Sequence, residues 1–260
     1  MKALILSCSL AALACGTALA AESPWVGTWK LDPAKSHFTG DTFTYSKAAN
    51  GLMRYSDGTA SDYDFAVDGK PYKSLNRTII WSHPTPDTWD SQVSVNGKPL
   101  GTLQRVLSAD GKTLSMTYKG TRPDGSADND EAVYERVTAG EGLLGTWRSV
   151  KSTSGGAPQT FVISVPSTGV VHYDVPDMKA SAEGPTDGSD RPLDGPTVPP
   201  GMTISFKALK PNETKYVMKV NGKVDSVGTQ TIAADGRSFS DVSWTPGKEN
   251  EKQTAVYVKQ

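Results

Sequence analysis

Cysteine is almost absent from this chain: Cys8 and Cys15 are the only two, and both lie within the first twenty residues. That opening stretch, MKALILSCSLAALACGTALA, has a positive start at Lys2, an apolar run from Ala3 to Ala14, and small residues at Ala18 and Ala20. These are the parts of a secretory signal peptide, and the apolar centre is too short to span a bilayer. Residues 1–20 are therefore expected to be removed, leaving a secreted or periplasmic protein that begins at Ala21. Lipidation at Cys15 is the rival reading, with Leu13 one position away from where such a signal places it. Either way the body of the protein has no disulfide, no thiolate nucleophile and no cysteine metal site.

Other absences narrow the field further. Histidine occurs only at positions 37, 83 and 172, with no His-x-x-x-His pair. No Gly-x-Ser-x-Gly precedes a helical pattern. Surface or turn positions are expected for His37, His83 and His172, and no cofactor or metal is implied. The formal charge is −1, and losing Lys2 makes it −2, with no basic block to attract nucleic acid or anionic lipid. No later apolar run approaches the roughly 20 residues of a membrane helix. Helical periodicity is missing as well.

What is present is a repeat. TIIWSHPTPDTWDSQVSVNGK (Thr78–Lys98) aligns without a gap over TISFKALKPNETKYVMKVNGK (Thr203–Lys223), and the register continues from Ser108–Lys112 to Ala233–Arg237. AVYERV (Ala132–Val137) then matches AVYVKQ (Ala255–Gln260), and Gly27-Thr28-Trp29 matches Gly145-Thr146-Trp147. Two homologous units follow, residues 21–138 and 143–260, joined by a linker at 139–142. A period of this length is too long for a solenoid, so each copy is expected to close its own core.

Each copy alternates with the period of a half-buried strand. Trp89, Ser91, Val93 and Val95 share one face, and Tyr216, Met218 and Val220 share the matching one. Asn96-Gly97 and Asn221-Gly222 supply the pair that favours a tight hairpin. Asp57-Gly58, Asp68-Gly69, Asp110-Gly111 and Asp235-Gly236 repeat the turn signal. An all-β fold is expected, each unit a meander of about eight to ten antiparallel strands that closes to remove its edges.

A Gly-x-Trp at the start of such a meander resembles the lipocalins and the wider calycin group. It is also similar to a bacterial exported lipocalin-like domain that opens Gly-Thr-Trp-Lys-Leu and continues to Ala-Lys-Ser-x-Phe, as Gly27–Leu31 and Ala34–Phe38 do. The resemblance implies two tandem up-and-down lipocalin-like barrels. It also implies that Trp29 and Trp147 plug the closed ends, each under a last-strand cation, Arg136 over Trp29 and Lys259 over Trp147. A cation over an indole contributes about 0.5–2 kcal/mol.

Three other segments carry groups that bear on chemistry. Asp124–Glu131 has alternating carboxylates but lacks a calcium loop's glycine and spaced Glu, so it is expected to be a solvated hairpin tip. Asp62 and Asp64 share a strand face as an acid pair could, with an ordinary wet surface as the simpler reading. Glu183–Gly201 is rich in Pro, Gly and Asp and is expected to be an irregular loop, slack in preference to a lid. The aromatics Trp81, Trp89, Phe206 and Tyr216 remain as candidate ligand-binding residues. The resemblance implies non-enzymatic binding of a small apolar or amphipathic molecule. The alternative is a structural or interaction module of the cell envelope with filled barrels, since a small barrel is only just wide enough for its own side chains. A barrel enzyme of esterase or isomerase type is a third reading, which a polar cluster inside a cavity would favour.

Overall fold

The computed structural model describes residues 23–154 and 156–260. The signal segment and Cys15 lie outside them. Strand β1 spans Gly27–Leu31. A meander follows through β2 (Thr42–Lys47), β3 (Met53–Ser56), β4 (Tyr63–Phe65), β5 (Pro71–Ser74) and β6 (Arg77–Thr85). It continues through β7 (Thr88–Val95), β8 (Lys98–Leu107), β9 (Thr113–Thr121) and β10 (Ala127–Arg136). The second half repeats this with β11 (Gly145–Ser152), β12 (Thr160–Ser167), β13 (Val170–Val175), β14 (Ala180–Pro185) and β15 (Asp187–Pro192). Its last strands are β16 (Met202–Lys210), β17 (Glu213–Val220), β18 (Lys223–Ile232), β19 (Ser238–Trp244) and β20 (Gln253–Lys259). The turns obey the expected chemistry. Asn96 and Gly97 have φ of 50° and 80°, and Asn221 and Gly222 have 51° and 80°. That left-handed pair is what a type I′ hairpin requires.

The strands form two ten-stranded antiparallel sheets, each curled almost into a closed barrel. In the first, the free edges β4 and β5 meet where Ser74 Oγ donates to the carbonyl of Ser61 at 2.6 Å. In the second, Ser181 and Asp194 exchange backbone hydrogen bonds of 2.9 Å across the corresponding gap.

The sheets do not follow the two halves of the chain. β11 inserts between β10 and β2, in the sheet of the first half. β1 inserts between β20 and β12, in the sheet of the second half. The two Gly-Thr-Trp strands have traded places. Each occupies the same slot in its host, because Trp147 faces Phe43 and Arg136 just as Trp29 faces Phe161 and Lys259.

The expected cation partners are exchanged in consequence. Lys259 covers Trp29, with Nζ 5.2 Å from the ring centroid, and Arg136 covers Trp147, with Cζ at 4.1 Å. The pairing follows the sheet and not the sequence half, since a cation can reach only the indole on the neighbouring strand. Both indoles are fully buried. Trp29 Nε1 donates to the carbonyl of Trp25 at 2.9 Å, and Trp147 Nε1 to that of Leu143 at 2.8 Å, so neither ring leaves a donor unmet. The leading glycines take backbone angles that other residues rarely adopt, with φ of 145° at Gly27 and 120° at Gly145.

The barrels are stitched together along the exchanged segments. His37 pairs through its backbone with Thr254, and Glu251 accepts from the amide of Thr42 at 2.9 Å. Arg122 bonds both Asp128 (2.6 Å) and Asp177 (2.8 Å), which joins the β9–β10 hairpin to the second half. Asp128 is thus a structural anchor, and only Asp124–Ser126 forms the turn. Asp62 and Asp64 both face Arg54, at 3.7 and 2.9 Å. The Glu183–Gly201 segment is not the irregular loop its composition suggests. It contains the end of β14 and all of β15, with Pro185 and Pro192 at strand ends, where a missing N–H costs little. The loop proper is residues 193–201.

Candidate functional site

The interior of the first barrel is filled. Trp81 is fully buried and stacks on Phe65 with centroids 4.2 Å apart. The Arg105 guanidinium lies 4.1 Å from the Trp81 centroid. It donates to Tyr45 OH at 2.9 Å and to Ser91 Oγ at 3.0 Å. Trp81 Nε1 donates to Tyr63 OH at 3.1 Å. The polar groups of this core therefore satisfy one another around stacked rings.

Sheet register shows what stands at the same places in the second barrel. Tyr45 faces Tyr55, as Ile163 faces Tyr173. Tyr63 faces Tyr55, as Ala182 faces Tyr173, and Phe65 faces Met53, as Ala180 faces Val175. The ungapped repeat sets Phe206 for Trp81 and Gln230 for Arg105. Large side chains have become small at one position after another. The result is a cavity of about 420 Å³ in the second barrel, within the usual range of about 300–1,000 Å³ for small-molecule sites. Its walls are mostly apolar, with Phe161, Ile204, Met218 and Ala255 among them. Two smaller clefts, of about 200 and 150 Å³, lie elsewhere on the molecule.

A polar belt crosses this apolar space. Tyr173 OH donates to Gln230 Oε1 at 2.6 Å, and Gln230 Nε2 donates to Asp241 Oδ2 at 2.9 Å. Tyr216 OH donates to the other carboxylate oxygen, Oδ1, at 2.9 Å. On β19 the inward row is Phe239, Asp241 and Ser243. Phe239 packs edge-on against the buried Trp29 at 5.1 Å, and Asp241 sits one strand repeat further along the same face. Tyr216 can lean inward only because its neighbour is Gly228, where a Cβ would overlap the phenol ring. Burial pushes the Asp241 carboxyl up to about 6, against the lowering effect of the bonds from Gln230 and Tyr216. Burial likewise raises the phenols of Tyr173 and Tyr216, so both stay protonated donors. Among the described residues Asp241 has no ion-pair partner.

The rim belongs to both barrels. Leu193, Thr197, Val198 and Pro199 of the loop line the cavity together with Arg77 of the first barrel. Asn76 Nδ2 holds that loop by the carbonyls of Thr197 (3.3 Å) and Val198 (3.2 Å), and Asn96 by that of Pro196 (3.4 Å). The loop is a wall of the cavity, not slack.

Of the four aromatics expected to bind a ligand, Phe206 and Tyr216 line the cavity. Phe206 stacks on Tyr173 at 4.8 Å. Trp81 lies in the filled core of the first barrel, and Trp89 is buried there against His83, with centroids 4.6 Å apart. The structure does not bring the two pairs together. His37 and His83 are exposed and His172 half-buried. Among the described residues no group of His, Cys, Asp and Glu is arranged to hold a metal ion, and no helix is long and apolar enough to cross a membrane. Asp241 escaped the sequence reading, although a signal existed: the repeat register sets this carboxylate against Met116, at an inward position. Compared with known proteins, the chain matches no family model and no curated sequence.

Proposed function

We propose that the second barrel is a lipocalin-like binding site for a small apolar or amphipathic molecule, held without chemical change, in a protein that is exported. The first barrel then serves as scaffold, filled by its own aromatics and holding the rim of its neighbour through Asn76 and Asn96. One observation carries this reading: the cavity opens where Ala180, Ala182 and Phe206 stand in place of the larger side chains that fill the first barrel.

The test is titration with a neutral solvatochromic dye such as Nile red. The wild type is expected to bind one dye per chain, and Ala182→Phe to lose binding while remaining folded. Equal binding by the two proteins would place the dye elsewhere and remove the support.

A second reading has a specific observation behind it. A carboxyl with a pKa of about 6 in an apolar cavity is suited to proton transfer within a bound ligand. Under that reading Asp241 is a general base. Incorporation of solvent deuterium into an added enolisable ketone, lost in Asp241→Asn, would distinguish it from simple binding.

A further inference from the structure

We infer that the ligand of the second barrel carries a protonated amine at its buried end, which docks on the Asp241 carboxylate. This rests on the binding reading above. An unpaired carboxylate in an apolar cavity is costly unless hydrogen-bonded and charge-compensated. Here the first requirement is half met and the second is unmet. A carboxylate offers about four acceptor positions, and Tyr216 and Gln230 fill two. The cavity lining is mostly apolar, with Ala182, Ile204, Met218 and Ala255 among it, and its polar members Ser181, Ser243 and Gln253 carry no charge.

The groups packed around Asp241 bring no positive charge. β13 presents Tyr173, β17 Tyr216, β18 the neutral Gln230 and β20 Tyr257, and burial raises all three phenols further from ionisation. Among the described residues the one cation lining the cavity is Arg77, which comes from the first barrel beside the rim loop and forms no ion pair with Asp241. The site thus has an anionic interior and a cationic mouth. An amine with an apolar body satisfies the interior, whereas a carboxylate-headed chain would be held at the rim by Arg77 and repelled further in.

The experiment is displacement of Nile red by decylamine, decanol and decanoate, which share a chain and differ in charge. At about pH 7.5 decylamine should displace the dye at a concentration about ten- to a hundredfold below decanol, the worth of one charged hydrogen bond. Decanoate should be the weakest. Near pH 5, where the carboxyl takes up its proton and the amine keeps its own, the preference should collapse. Asp241→Asn should show no preference for the amine over decanol at either pH. Equal displacement by all three, or decanoate the tightest, overturns the amine while leaving the binding site in place. No dye binding under any condition overturns the binding reading and the amine with it.

Discussion

Lys259, in the last strand, lies over the indole of Trp29, in the first, with its Nζ 5.2 Å from the ring centroid. The first and last of the described strands thereby lie side by side in a single barrel, the one built from the second half of the chain. Trp29→Ala should therefore unfold a barrel to which residue 29 does not belong by sequence. Loss of a large buried aromatic costs about 3–5 kcal/mol. Amide exchange should show protection lost first in β12–β20. Loss confined to β2–β10 would contradict the strand exchange.

The two covering cations should differ in weight. Arg136 donates to the carbonyls of Gly111 (2.6 Å), Gly142 (2.7 Å) and Leu144 in addition to covering Trp147. Lys259 contributes chiefly its stem and charge. Arg136→Ala is expected to cost about 1–2 kcal/mol or more, through three orphaned carbonyls and lost packing. Lys259→Ala should cost about 0.5–1 kcal/mol. Urea titrations of the two variants provide the comparison.

Cutting the chain between the halves should not separate them. With a protease site inserted after Ala139, the pieces carry β1–β10 and β11–β20, and each barrel keeps one strand owned by the other piece. The nicked protein should elute from size exclusion as one species until denaturant is added. Two independently eluting folded pieces would show that each half can take back its own strand.

The pH dependence of stability has a definite sign. The Asp241 carboxyl is raised from 3.8 in the unfolded chain to about 6 in the fold, so the folded state holds its proton more tightly. Its contribution is greatest below about pH 4 and is lost as pH rises through about 6. Asp241→Asn should match the wild type in acid and exceed it above pH 7 by on the order of 2–3 kcal/mol. Thermal melts of both proteins across that range would check it. A variant less stable at pH 8 would mean that the carboxylate is better solvated than its surroundings indicate.

Much of this architecture could be read from residues. The alternation through Trp89–Val95 and the Asn-Gly turns located β7, β8, β17 and β18, because those signals are local. The exchange of β1 and β11 was not legible, since both strands spell Gly-Thr-Trp and fit either slot equally. The choice depends on the paths of residues 32–41 and 153–159, for which no pattern in the sequence speaks. Half of the site was legible: inward aromatics at Phe206 and Tyr216 follow from alternation. The space around them was not, because it comes from Ala180 and Ala182, where the two copies no longer align by sequence. Proline and aspartate hid β15 because they are tolerated at an edge.

The traded strands also set the distance along the chain over which folding must search. β1 lies against β12 and β20, and β11 against β2 and β10, so neither barrel is complete until segments of both halves are present together. Contacts of such long separation make folding slow, and the two barrels are bound to a shared folding step although each has its own core.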